Sequence, residues 1–302
     1  MGLMSVGVWQ GWRLLSIEPL VLLPVMLVGW LYWRGATRIG WARDRAARRR
    51  HRWRLGAFYG GLASILVALD SPVDYLAQLL FWVHMVQHLL LLVVAAPLIV
   101  AGAPWMPVWR GLPLSFRRWL APQVLMWSQR RLVKAGVRVL WSPVTALVLL
   151  TGVVWGWHIP SAYDLSLRNQ AIHDLEHLSF LVAGVLYWVH TMDSVPLRRS
   201  MHPLAVLGYL LAGAFQGWML AMLLGFAAHP FYAPYVELTH RPGGISALTD
   251  QQIGAGMMWV PASIPFTILV DITVFRWLRD DEREADEKVR NIRGAEEVLS
   301  HR

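Results

Sequence analysis

The sequence has no cysteine. That absence excludes a disulfide framework, an iron–sulfur cluster and any thiolate metal site. A transition metal held by this chain must sit on imidazole, thioether, carboxylate or backbone groups. Charge is scarce as well. Only 16% of the 302 residues are Asp, Glu, Lys or Arg and 56% are hydrophobic, whereas soluble domains carry about 25% charged residues. The deficit points away from a water-soluble domain and toward lipid as the solvent. The start Met1-Gly2-Leu3-Met4-Ser5-Val6 lacks the Ser or Thr at position six of a myristoylation signal. The first apolar run is too long for a signal-peptide core and reads as a retained helix.

What the chain does have is apolar length. A membrane helix needs about 20 largely apolar residues to cross about 30 Å of hydrocarbon. Seven runs qualify, at 17–33, 55–69, 77–101, 144–157, 172–192, 204–227 and 253–277. The expected fold is therefore all-α: a polytopic membrane protein with seven transmembrane helices over residues 1–279, followed by a charged tail over 280–302. The 18 Trp fit this class, because Trp collects at membrane interfaces. Neither an internal repeat nor a soluble catalytic domain is visible.

The net charge of +9 would suggest nucleic acid in a soluble protein. Here the basic residues lie in short loops, which makes their role topological, with no nucleic-acid partner. All but Arg13, Arg168 and Arg241 of the 28 Lys and Arg fall on one side of the predicted spans. By the positive-inside rule that side is cytoplasmic. The N-terminus then lies outside, the C-terminus inside, and the location is a bacterial inner membrane. The connection between the third and fourth spans interleaves Trp119, Leu120, Val124, Leu125, Trp127 and Val137 with Arg117, Arg130, Arg131, Lys134 and Arg138. That pattern suits either an amphipathic helix on the anionic inner leaflet or a plain cytoplasmic hairpin. Gly152-xxx-Gly156 and Gly213-xxx-Gly217 are expected to let the fourth and sixth spans pack closely.

The histidines carry the functional signal. His84 and His88 lie in the third span, and His173 and His177 in the fifth. Both pairs are spaced i, i+4, which stacks them on one helix face with about 5–6 Å between Cβ atoms. Two imidazoles at that spacing can converge on one metal. Ionisable residues inside spans are costly and mark functional positions. With the orientation above, these four, together with His158, His229 and His240, all fall in the outer half of the bilayer or beyond it. The ligand candidates are His84, His88, His173 and His177, then His158, Met257 and Met258. Glu176 and Asp174 are candidates for the second shell, where a carboxylate orients a ligating imidazole through its other nitrogen. Asp70 and Asp74 could guide a cation inward or simply solvate a loop. Imidazole suits copper and zinc, and thioether from Met85, Met257 or Met258 would shift the preference toward Cu(I).

Two other chemistries compete. His173-x-x-Glu176-His177 matches the short H-x-x-E-H pattern of inverted zinc proteases, but no third ligand is identifiable from sequence. Paired histidines could also hold a b-type haem, although i, i+4 spacing rises only about 6 Å along a helix, too little for two stacked haems.

Three blocks together resemble a known family. They are Trp82-Val83-His84-Met85-Val86-Gln87-His88 with Ala96-Pro97-Leu98 and Gly102-Ala103-Pro104; His158-Ile159-Pro160 with His173-Asp174-Leu175-Glu176-His177; and Asp250-Gln251-Gln252-Ile253-Gly254 with Met257-Met258-Trp259-Val260-Pro261. In this order, across residues 17–279, they resemble the bacterial, multi-span CtaG family of cytochrome c oxidase assembly factors. The resemblance implies a non-enzymatic role in maturing a haem–copper oxidase, in which copper reaches the catalytic subunit. The implied partners are an oxidase subunit and a periplasmic copper donor.

Overall fold

The structure, a computed structural model, describes residues 18–38, 44–197 and 201–300. Arg13, Arg43, Arg198, Arg199, His301 and Arg302, and the start of the first predicted span at position 17, lie outside the described residues. The architecture is helical, with no strand among the described residues beyond a single bridge between Ser194 and Leu197. In chain order the helices are α1 (Pro19–Thr37), α2 (Arg45–Leu69), α3 (Pro72–Ala77), α4 (Phe81–Leu89), α5 (Ala96–Ala101), α6 (Trp105–Gly111), α7 (Leu114–Gln129), α8 (Arg131–Leu140), α9 (Pro143–Trp157), α10 (Pro160–Arg168), α11 (Gln170–Trp188), α12 (Pro203–Gly225), α13 (Ala233–Val236) and α14 (Ala247–Ser300).

Among the described residues, four helical segments are long and apolar enough to cross a membrane: α1, the Phe81–Ala101 rod, α12 and α14. The number is five if α8 and α9, bent by 61° at their junction, act as one span. Two predicted spans fall outside this set for a physical reason. The apolar stretch of α2 begins only after a run of arginines, and α11 carries two His pairs with Asp174 and Glu176 in its first turns. The predicted boundary at 279 does not interrupt the backbone, since α14 continues as one helix to Ser300.

The Phe81–Ala101 rod is the centre of the bundle. It packs against α2, α11 and α14, and α9 and α12 close the far side. Between α4 and α5 the backbone widens into a π-helical stretch at Leu90–Ala95. Pro97 supplies a cause: its ring has no N–H and would clash with the carbonyl four residues back, so the ladder must loosen. The indole of Trp188 donates to the Leu92 carbonyl at 2.7 Å and satisfies a backbone group in this stretch. A larger core joins α4, α9, α11, α12 and α14, and a smaller one joins α1 and α2 to the rod through Tyr32, Phe58 and Leu91.

The expected glycine packing holds at one position of four. A Cβ at Gly213 would lie 2.2 Å from the Tyr187 hydroxyl, so only glycine fits there. Gly152, Gly156 and Gly217 have nothing within 4 Å of such an atom, and the close packing expected of α9 is absent. The long basic connection forms a hairpin of α7 and α8, turning at Arg130. No residue of α7 is buried, and Trp119, Val124, Leu125, Met126 and Trp127 are exposed.

Candidate metal centre

The site is built at the start of the central rod. The residue preceding α4, Leu80, offers no side-chain cap. The first two amides of the helix instead donate to a carboxylate from another element: Phe81 N to Asp250 Oδ2 at 2.9 Å and Trp82 N to Asp250 Oδ1 at 3.0 Å. An anion at a helix N-terminus meets unsatisfied amides and the positive end of the dipole. Asp250 lies at the start of α14, so this contact fixes α4 against α14. One turn further, Gln87 donates to the Ala68 carbonyl at 2.9 Å and to Asp74 Oδ1 at 2.8 Å, tying α4 to α2 and α3. With both sides held, His84 and His88 face the interior.

The opposing residues come from α11, which starts where the Asn169 side chain accepts from the Ile172 amide. Its buried face runs His173, Glu176, His177, Phe180, Ala183, Gly184 and Tyr187, the i, i+3, i+4, i+7 pattern of one helix side. His173 and His177 therefore point at the same interior as Phe180. Their ring centroids lie 4.2 Å apart, and His84 is 5.2 Å from His173 and 5.9 Å from His177. One nitrogen from each of His84, His173 and His177 falls within a 4.8 Å set. A second such set joins His84 and His88 to Glu176. Glu176 Oε1 lies 3.4 Å from His88 Nε2, and its Oε2 lies 3.9 Å from His84 Nε2. The carboxylate thus stands within 4 Å of a ring nitrogen of both His84 and His88.

Hydrogen bonding fixes the state of His84. The Tyr235 hydroxyl donates to the Ala77 carbonyl at 2.6 Å. Its single proton is then used, so toward His84 Nδ1, at 3.2 Å, it can only accept. Nδ1 carries the proton and Nε2 presents a lone pair to the cluster. This is the arrangement of a metal-ligating imidazole, whose other nitrogen is held by an outer partner.

The orphaned atoms test whether the residues fit a metal. His84 Nε2, both nitrogens of His88, His173 Nε2, His177 Nε2 and both Glu176 oxygens are buried without a hydrogen-bond partner. Buried polar groups rarely stay unpaired, and a concentration of orphans in one cluster calls for a ligand. Two bonds of about 2.0–2.1 Å span at most about 4.2 Å, so an ion shared by the three imidazoles would draw them together by less than about 1 Å. The donors fit.

The remaining sequence candidates divide. His158 and Met258 line a separate cavity on the far side of His88. Met257 is partly buried and lines no part of that cavity. Asp174 lies in neither ligand set and accepts from Gln170 at 2.9 Å on the surface. It borders another cavity, shared with Glu18 and Asp74, whose inner wall includes His173 and His177. Burial, above all, raises the Asp74 carboxyl above its usual range, and the Gln87 bond opposes the shift. Sequence reasoning missed the roles of Tyr235, Gln87 and Asp250. Asp250-Gln251 stood in the resemblance, but a cap donated across elements has no local signature.

The geometry bears on the two rival chemistries. His84 supplies the third imidazole that H-x-x-E-H lacked in sequence, but Glu176 is wholly buried and is not exposed to a polypeptide substrate. For haem, the imidazoles pack against one another, with Phe180 stacked on His88 at 4.2 Å and Tyr163 at 5.1 Å from His84.

Residues 30–280 match the family described as cytochrome c oxidase caa3 assembly factor. Uncharacterized proteins of Mycobacterium bovis and Mycobacterium tuberculosis are each 28% identical over 264 residues, covering 84% of this chain and 39% of their own length. An uncharacterized protein of Mycobacterium leprae is 26% identical over 243 residues, covering 77% of this chain and 35% of its own. The chain spans about two fifths of the length of these curated relatives. No solved structure matches it.

Proposed function

The chain belongs to the family of cytochrome c oxidase caa3 assembly factors, and from that premise we propose that it binds copper as cargo and helps deliver it to the catalytic subunit of a haem–copper oxidase. The observation that carries this reading is the cluster of orphaned donors on His84, His88, His173, His177 and Glu176. Imidazole and carboxylate hold the ion, and the Tyr235 contact keeps His84 in the ligating tautomer. The protein acts as a carrier and scaffold and not as an enzyme. It works in a bacterial inner membrane with seven crossings, N-terminus outside, so that the cluster lies in the outer leaflet within reach of a periplasmic copper donor. In this arrangement α2 and α11 cross as well, their polar residues turned inward. The basic α7–α8 hairpin lies on the anionic inner leaflet.

The test is the copper-to-haem ratio of oxidase purified from strains carrying His88→Gln or His177→Gln. Glutamine keeps a polar side chain and removes imidazole. Normal levels of the variant protein with haem-replete, copper-poor oxidase support the reading. A wild-type ratio with full oxidase activity overturns copper delivery and leaves scaffolding. Zinc in the purified protein together with peptide cleavage would favour the protease chemistry.

A further inference from the structure

A second donor set lies across His88 from the imidazole–carboxylate cluster. The His158 Nδ1 atom is 2.6 Å from the Val154 carbonyl oxygen, and His158 Nε2 is 3.4 Å from the sulfur of Met85. A carbonyl oxygen only accepts, so Nδ1 must hold the proton. In the neutral ring Nε2 then carries a lone pair. Thioether sulfur also offers only lone pairs. Two acceptors therefore face each other in a buried cavity with no proton between them. Protonating Nε2 would create a buried cation, and His158 has no ion-pair partner among the described residues.

A metal ion resolves the conflict. Taking the bond lengths of zinc sites, about 2.0 Å to imidazole nitrogen and about 2.3 Å to thiolate sulfur, as a guide, a 3.4 Å separation corresponds to an angle of about 104° at the ion, close to tetrahedral. Met258, 8% exposed, lines the same cavity, as does His88. Neither nitrogen of His88 has a hydrogen-bond partner, and its ring lies 5.5 Å from His177 and 6.3 Å from His158.

We propose that Met85 and His158, with Met258, form a second, thioether-containing site for a soft monovalent cation, Cu(I), and that His88 connects it to the imidazole–carboxylate cluster. The inference rests on the copper reading above and deepens it. Thioether ligands select Cu(I), while imidazole and carboxylate accept harder ions. The two sites therefore differ in softness along one path, and the ion moves from the cluster to the thioether site without leaving the protein.

The experiment uses the intact, purified protein loaded anaerobically with Cu(I) or, separately, with Zn(II). Cu(I) should bind at two equivalents and Zn(II) at one. The chain has 12 Met and no Cys, so any sulfur neighbour seen in the copper X-ray absorption spectrum must be methionine. A sulfur shell at about 2.3 Å is expected. It should shrink in Met85→Leu, which keeps the apolar volume, vanish in the Met85→Leu/Met258→Leu double variant, and persist in His177→Gln. Copper bound through nitrogen and oxygen alone, or a sulfur shell unchanged in Met85→Leu and in the double variant, overturns the second site and leaves the first intact. No Cu(I) binding by the wild-type protein overturns both.

Discussion

The two ends of the Phe81–Ala101 rod carry opposite solutions to the same solvent. At its start, polar and ionisable side chains are buried: His84, His88, His173, His177 and Glu176 are all at most 4% exposed, and their ring nitrogens face one another. Beyond its end, in the α7–α8 hairpin, tryptophans and aliphatic residues are exposed beside arginines. A buried polar cluster is costly unless something completes it. An exposed apolar face is costly unless something covers it. The donors of the first region are close enough to share one small ion, which is the completion proposed above. The second is open and mixed in polarity, which fits the headgroup boundary of a bilayer.

Metal addition should divide the two regions most sharply. A ligand at about 1,000 times its Kd adds about 4 kcal/mol to folded-state stability. Cu(I) should therefore raise the thermal midpoint and slow amide hydrogen exchange in α4 and α11, with no change in α7–α8. Equal protection of both regions would mean that the ion acts on the whole molecule. The next effect is on affinity. His177→Gln should weaken copper binding by at least about 100-fold, the upper end of the loss from removing an outer partner, while Trp127→Ala in the hairpin leaves it unchanged. Competition with a chelator reads both.

Packing comes next. Gly213→Ala forces a methyl onto the Tyr187 hydroxyl and should cost about 1–3 kcal/mol in denaturant unfolding. The cavity bordered by Glu18, Asp74 and Asp174 gives a kinetic prediction. Asp74→Asn keeps an oxygen to accept from Gln87, so folding should be retained while metal loading slows several-fold. Because burial raises the Asp74 carboxyl, its charge is lost at a higher pH than for an ordinary aspartate. Wild-type loading should therefore slow as pH falls through that raised value, and Asp74→Asn should flatten the dependence in a stopped-flow titration. The same shift makes Asp74 a group whose ionisation lowers stability as pH rises above its unfolded value, and the variant should remove that slope too. The smallest effect belongs to Gly152→Ala, which meets open space and should stabilise α9 by up to about 1 kcal/mol.

Several of these outcomes concern features that were legible before the fold was known. The two i, i+4 pairs identify His84, His88, His173 and His177 because helix periodicity is local. A residue four positions on returns to the same face whatever the surroundings. The apolar runs were legible for the same reason, and they locate α1, α9, α12 and the rod within a few residues. The glycine motifs misled because spacing says where a small residue lies and not what it meets. Of the four motif glycines, only Gly213 has a neighbour close enough to require it.

Sequence by itself determined the helical class, the absence of thiolate chemistry, and which helix faces carry imidazole. Each follows from composition or from the 3.6-residue period, and neither depends on a distant partner. Tertiary structure decided that the two histidine faces meet, that Glu176 stands among them, and that Asp250 caps α4 from 168 residues away along the chain. It also decided the tautomers of His84 and His158, through a tyrosine and a backbone carbonyl. Those are properties of pairs of groups, and the pairing exists only once the helices have packed and water has been excluded between them.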